Sequence, residues 1–271
     1  MNAPEVNKSV QNLYSVSVRK LACVTVALPF FALFVCFITA YIFQFDDVHE
    51  THCRVFNVIP SISAVTGITP QTYLWRISVA LHIGPRIIVA HLYRNYFSYL
   101  LSLDTAPTSV FKRVFVSSCF WFNIVELSSL CGVTYISNRE NYPIHEKLFI
   151  VFMVCSLMFM LTMSLSYKMM HPTMTKVQNI SYKVKLSLLI TSLLSTVTLI
   201  LFFMKHRFYC HDLAFTWFAF SEYVLASCNM AFHMTVTMDF PDERLMVAST
   251  FQSAKKLKNE FSEAESSINI L

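Results

Sequence analysis

The chain is predicted to be all-α, a polytopic membrane bundle of about six transmembrane helices with both termini in the cytosol. Three observations carry that prediction. Of 271 residues 55% are hydrophobic and 14% charged, and 25 phenylalanines and 13 methionines help to raise the mean hydropathy to +0.51, well above an ordinary soluble domain. Six stretches reach the length needed to cross a bilayer. An even count puts both termini on one side, and the basic residues gather in the tails and the connections that share that side.

The first apolar run, Leu21–Phe43, follows a mostly polar tail and lacks a small-x-small cleavage site, so it reads as an uncleaved spanning helix rather than a removed signal peptide. The others are Tyr73–Tyr93, Val114–Ile136, Lys147–Tyr167, Val184–Met204 and Leu213–Thr237, of which the second is the least hydrophobic. With three glycines and no low-complexity tract, one helical domain over residues 21–240 is expected, between an N-terminal tail of residues 1–20 and a C-terminal tail of residues 241–271.

Fourteen of the 21 Lys and Arg fall in the tails and in the second and fourth connections, five in the remaining connections, and Arg76 and Arg86 inside a span. That asymmetry places the tails in the cytosol and the loop over residues 44–72 on the lumenal or extracellular side. The net charge of +5 is mild and its basic residues are separated by apolar runs, which excludes a nucleic-acid partner. Six of the eight cysteines lie in apolar spans, where they read as small buried hydrophobes. Cys53 and Cys210 both fall in lumenal loops and form a disulfide candidate that ties the first loop to the last.

Ionisable groups in the bilayer interior are costly, face the bundle and mark sites. Helical spacing puts Trp75, Ser78, His82 and Arg86 on one stripe of the second span, with Arg76 turned away by about 100°. Asn123 and Glu126 share a face of the third span, and Glu222, Ala226, Asn229 and His233 form a second stripe on the sixth. Counting from the lumenal span ends, His82 and Glu126 lie at a depth of about 15 Å and Glu222 at about 13 Å. The bland alternative is mutual neutralisation, Arg86 with Glu126 or Glu222, as polar glue between helices. No histidine or cysteine pair has ligand spacing, so no metal site is expected, and His145-Glu146 reads as a helix cap.

Thr51-His52-Cys53, Asn57, Pro60-Ser61, Gly67, Pro70-Gln71, Tyr73, Trp75-Arg76, Leu81-His82 and Pro85-Arg86 form an ordered series of motifs. Asn123 with Glu126, Ile144-His145-Glu146, Tyr209-Cys210, Glu222-Tyr223 and the run from Asn229 to Thr235 continue it. The series resembles the signature of the post-GPI-attachment-to-proteins factor 2 family, part of a larger group that includes the damage-regulated autophagy modulators. The resemblance runs from the first span to about Phe240 and is specific, because the matches are dispersed polar residues in apolar segments.

It implies GPI-anchor lipid remodelling by a multi-pass protein of the Golgi membrane, with the endoplasmic reticulum as the other compartment. The implied reaction is reacylation of lyso-GPI-anchored proteins with a saturated fatty acid by a membrane O-acyltransferase. No bound cofactor is implied; the acyl donor, acyl-CoA or a phospholipid, is a co-substrate. The implied partners are the GPI lipid, GPI-anchored proteins and other GPI-remodelling proteins. The alternative is a non-catalytic GPI-lipid binding or scaffold protein that assists a separate acyltransferase. A transporter is disfavoured by the lack of repeated halves with broken helices.

Such a reaction needs a base for the hydroxyl, donors for the developing oxyanion and a cation for the inositol phosphate. His82 or His233 is the expected base, oriented by Glu126 or Glu222, and Asn229 the oxyanion donor. Arg76 or Arg86 is expected to hold phosphate, with Trp75 and Asn123 beside the substrate.

Overall fold

The computed structural model describes residues 9–103 and 110–251; the remaining parts of the two tails and of one connection lie outside the described residues. In chain order the elements are β1 (Ser9–Ser17), α1 (Val18–Phe43), α2 (Phe45–His49), α3 (Ile62–Thr66) and α4 (Gln71–Leu103). They continue with α5 (Val110–Tyr135), α6 (Tyr142–Met170), α7 (Lys176–Tyr209), α8 (Ala214–Met234), α9 (Val236–Asp239) and β2 (Arg244–Phe251).

The fold is helical, and four helices, α1, α5, α6 and α7, are long and apolar enough to cross a membrane. Helices α4 and α8 carry the polar stripes that dilute their hydropathy. Their packing is that of bundle members: α4 lies against α1 and α5, and α8 against α7. Large apolar side chains such as Phe31, Phe34, Leu194 and Leu201 point outward, as lipid-facing surfaces do, while Ala22, Cys36, Ala40 and Met160 point inward. The helix ends are capped by short-range chemistry. Asn141 Oδ1 accepts from the Ile144 N–H at the start of α6, and Thr175 with Gln178 forms a capping box on α7.

The loop over residues 44–72 is no open excursion. Its helices fold down into the end of the bundle, where Val48 and Val65, at 1% and 0% exposure, pack with Leu33 and Ala40 of α1. Cys53 and Cys210 form the disulfide expected from their loops. The Leu213 N–H donates to the Phe56 carbonyl at 3.0 Å and the Val58 N–H to Thr216 Oγ1 at 2.9 Å, so the loop is also stitched to the start of α8.

At the opposite end the tails are more ordered than an all-α reading provides for. Strands β1 and β2 pair antiparallel with a register from Ser9 opposite Phe251 to Ser17 opposite Arg244. The pairing is irregular between Asn12 and Tyr14, and Leu13 and Tyr14 are both exposed. The Val18 N–H donates to the Glu243 carbonyl at 3.1 Å, so the ribbon leads directly into α1.

Candidate functional site

Two prolines explain much of the site. Pro29, inside α1, has no N–H to give the carbonyl four residues earlier, that of Thr25. His82 of α4 supplies the missing donor: its Nδ1 lies 2.7 Å from the Thr25 carbonyl, so Nδ1 carries the proton and Nε2 is the acceptor. Arg86, one turn further on, donates from Nη1 to that Nε2 at 3.2 Å. Pro85 stands between them and interrupts the ladder of α4.

Arg86 is the hub of a buried polar cluster. Its Nη2 donates to Asn123 Oδ1 at 3.1 Å, lies 2.6 Å from His233 Nε2 and 3.5 Å from Glu126 Oε1. The same Glu126 oxygen accepts from Asn229 Nδ2 at 2.7 Å and lies 3.2 Å from His233 Nε2. Glu126 is fully buried and Arg86 is 4% exposed. His233 Nε2 thus faces both a guanidinium donor and a carboxylate acceptor, an arrangement in which one nitrogen can either accept from Arg86 or hand a proton to Glu126. The His233 ring stacks on Phe159 with an interplanar angle of 8°, which fixes its orientation.

The cluster backs onto a cavity of about 100 Å³ lined by His82, Asn229, Trp75, Thr66 and Glu222 among apolar side chains. A larger cleft of about 390 Å³ between α6, α7 and α8 shares Ser63, His145, Phe149 and Glu222 with that chamber, so the two meet at a common wall. The smaller chamber reaches from that wall to His82 and Asn229.

The structure therefore brings together His82, Arg86, Asn123, Glu126, Asn229 and His233, with Trp75 on the chamber wall. It separates two others from them. Glu222 does not pair with Arg86; its Oε2 accepts the Ile62 N–H at 2.8 Å, because the loop dips far enough into the bundle for α3 to reach it. Arg76 turns away from the stripe, as its phase requires, and binds Glu140 at the rim through Nη2 at 2.7 and 2.9 Å, with further bonds to the Thr134 and Tyr135 carbonyls. That guanidinium and the Ser137 N–H hold the Glu140 carboxyl down at about 2.

Three features of the site lie outside the sequence-derived set. Ser156 of α6 accepts from Asn229 Nδ2 at 2.6 Å, the Thr25 carbonyl anchors His82, and His145 is no cap. Asn141 caps α6, while His145, 7% exposed, reaches across to Ser63. The signal for the second was present in the spacing of Thr25 and Pro29. A lone serine in an apolar helix gives none.

Residues 17–243 match the family described as the Frag1/DRAM/Sfk1/Cwh43P N-terminal domain. The chain is 52% identical over 236 residues to the post-GPI attachment to proteins factor 2-like protein of Drosophila melanogaster, covering 86% of this chain and 73% of the relative. It is 34% identical over 244 residues to acyltransferase PGAP2 of Xenopus tropicalis, covering 89% of this chain and 95% of that protein. A third relative, post-GPI attachment to proteins factor 2 of Caenorhabditis elegans, is 35% identical over 235 residues, 83% and 86% of the two chains. No solved structure matches the chain. The chain belongs to the post-GPI attachment to proteins factor 2 family, within the wider Frag1/DRAM/Sfk1/Cwh43P group.

Proposed function

We propose that this protein is a membrane O-acyltransferase of GPI-anchor lipid remodelling, which returns a saturated acyl chain to lyso-GPI-anchored proteins in the Golgi. The observation that carries the reading is that His82 and Asn229 face one chamber while each is held from behind by a buried charged group, Arg86 and Glu126 respectively. Preorganised donors and acceptors of this kind, in a cavity with largely apolar walls, suit acyl transfer between lipids. The names of relatives, acyltransferase in two of them, supply the reaction class and the GPI anchor the substrate.

Six spans with cytosolic tails follow from the basic-residue asymmetry, and the Cys53–Cys210 disulfide supports a lumenal assignment for the end that carries it. On that topology the cleft admits lipid from the lumenal leaflet, where the glycerol of a GPI anchor lies. His82 and Asn229 hold the acceptor hydroxyl on the inner wall, and His82 is tied through Arg86 to Glu126. Arg76, partly exposed at the rim where it pairs with Glu140, is more accessible to the inositol phosphate than the sealed Arg86.

Purified protein in detergent, given lyso-GPI and acyl donors, should form diacyl GPI, and His82→Ala and His233→Ala should each reduce transfer by about 10²-fold or more. Full transfer in both variants removes the cluster from the chemistry. Binding of lyso-GPI without turnover on any donor identifies a lipid-binding scaffold instead.

A further inference from the structure

The common wall of the two cavities holds a pair of side chains that the deep cluster does not use. Ser63 Oγ lies 2.9 Å from His145 Nε2, and His145 Nδ1 lies 2.7 Å from the Ile136 carbonyl. Because a carbonyl only accepts, Nδ1 carries the ring proton, and Nε2 is left as the acceptor for the Ser63 hydroxyl. A hydroxyl donating to an imidazole whose other nitrogen is oriented by a third group is the arrangement of an activated serine nucleophile, here with a backbone carbonyl in the orienting position.

Each member of the pair is held by its own element. Ser61 caps α3 by accepting the Ala64 N–H, and Glu222 Oε2 takes the N–H of Ile62, the neighbour of Ser63. His145 sits in the first turn of α6, fixed by the Asn141 cap. Gly67 closes α3 so tightly that a Cβ there would lie 2.6 Å from Asn138 Oδ1 and 2.7 Å from the Ser63 carbonyl. Ser63 is half-buried and lines both cavities.

The larger cleft says what the hydroxyl would meet. It is about 390 Å³, within the range of small-ligand clefts, and its walls are Phe149, Met153, Leu199 and Phe218 beside a polar head of Ser63, His145, Asn138, Glu146 and Glu222. It opens sideways to the bilayer past Ile150, Val154 and Ile200, all about half exposed, along the sparsely packed seam between α6 and α7. An apolar slot with a polar head on a lipid-facing seam fits the acyl ester of a membrane phospholipid.

We infer that Ser63 is a catalytic nucleophile that takes the acyl chain from a glycerophospholipid as an ester, with His145 as its base and Glu222 as a positioning residue. The inference rests on the acyl-transfer reading and adds a covalent stop to it. In the loading step the Ser63 proton passes to His145 Nε2, Oγ bonds to the acyl carbon, and the donor's ester C–O bond breaks. The proton then passes from His145 to the departing glycerol oxygen, releasing a lysophospholipid. In the unloading step the lyso-GPI hydroxyl, held at His82 and Asn229, attacks the acyl carbon and gives its proton to His145. The Ser63 C–Oγ bond breaks and Oγ recovers that proton. The route is a transesterification and consumes no other reactant; in it His82 orients the acceptor, while His145 moves the proton.

The test uses the full-length protein in detergent with phosphatidylcholine bearing a tagged palmitoyl chain, quenched in acid and read by intact-protein mass spectrometry, with acyl-CoA as a parallel donor. Wild-type protein is expected to carry one acyl group from phosphatidylcholine, released by lyso-GPI, and none from acyl-CoA. Ser63→Ala should carry none and lose transfer, and His145→Ala should load about 10²-fold or more slowly. Ser63→Cys should carry a thioester that neutral hydroxylamine cleaves, a signature that a merely structural hydroxyl would not give. His82→Ala should still load but discharge slowly, which separates the two halves of the reaction. Wild-type transfer surviving in Ser63→Ala, or in a folded Ser63→Cys that never forms the thioester, overturns the nucleophile while leaving acyl transfer intact. Loading from acyl-CoA but not from phosphatidylcholine overturns the phospholipid donor. Absence of transfer by wild-type protein from any donor overturns the acyl-transfer reading and this inference with it.

Discussion

The buried pair of Arg86 and Glu126 separates a working site from structural glue, and the separation can be measured. Their side chains are 5% and 1% exposed, 3.5 Å apart, and Glu126 Oε1 also takes the Asn229 amide. Glu126→Gln keeps the shape and the acceptor for Asn229 but removes the charge, leaving the Arg86 guanidinium with Asn123, His82 and His233 and no anion. An uncompensated charge in such a position costs about 3–5 kcal/mol, and Arg86→Met strands Glu126 at a similar cost. Replacing both at once, Arg86→Met with Glu126→Gln, leaves no unpaired charge and should be close to wild type in stability, so the pair should couple by about 3 kcal/mol or more. Equilibrium unfolding in mixed detergent measures the stabilities, and lyso-GPI acylation measures function on the same preparations. The expected result is a double variant that regains stability but not transfer, because Arg86 no longer holds His82 Nε2 in place. A double variant that regains both would reduce the cluster to a packing device and refute its role in the chemistry.

Three further outcomes follow from the geometry. Glu140 is depressed to about 2 by Arg76 and the Ser137 N–H, so the stability it lends is fully present above the ordinary carboxylate range and is lost progressively as pH falls from that range towards 2; the contribution of the Arg76–Glu140 pair should be flat from pH 8 to 5 in a thermal-shift series, and Glu140→Gln, at an exposed rim, should cost no more than about 1 kcal/mol. Reducing the Cys53–Cys210 bond, or Cys53→Ser, releases the loop that carries α3 and should lower stability by about 2–4 kcal/mol, read as a shift in unfolding midpoint, together with faster maleimide labelling of Cys210. Lys185→Met leaves Asp239, bound by Lys185 Nζ at 2.6 Å and otherwise by Ser181 and Tyr93, as a buried anion, and should cost about 3–5 kcal/mol in the same unfolding assay, largely recovered by adding Asp239→Asn.

How much of this was legible depended on whether the determinant was local. Hydropathy and helical phase were enough to place His82 with Arg86 and Asn229 with His233, because a face of a helix is a property of a few neighbouring residues. Depth was less secure. Counting residues from span ends put Glu222 level with Glu126, yet the loop enters the bundle and claims Glu222 for Ile62, a long-range event that no count along one helix contains. The pairing of His145 with Ser63 spans 82 residues and lay hidden behind a capping reading that Asn141 satisfies instead. Lys185 looked like one of several cytosolic-side lysines, and only the turn of α9 brings Asp239 to it.

The arrangement of α8 shows why such costly buried charges are kept. This helix presents Glu222, Asn229 and His233 across eleven residue steps, about 16 Å of rise, and a rotation of one residue would swing all three away from their partners by about 100°. Hydrophobic packing fixes that angle only loosely when the outward face meets lipid, since apolar side chains lose little by turning from neighbour to hydrocarbon. Polar groups lose far more. At the disulfide-bearing end Glu222 is pinned to the Ile62 N–H, in the middle Asn229 is pinned between Glu126 and Ser156, and beyond the far end Asp239 is pinned by Lys185, Ser181 and Tyr93. Each contact is satisfied at one helix phase. The same phase sets Asn229 on the chamber wall and His233 behind it, so the groups that fix the helix and the groups proposed to serve the reaction are positioned together.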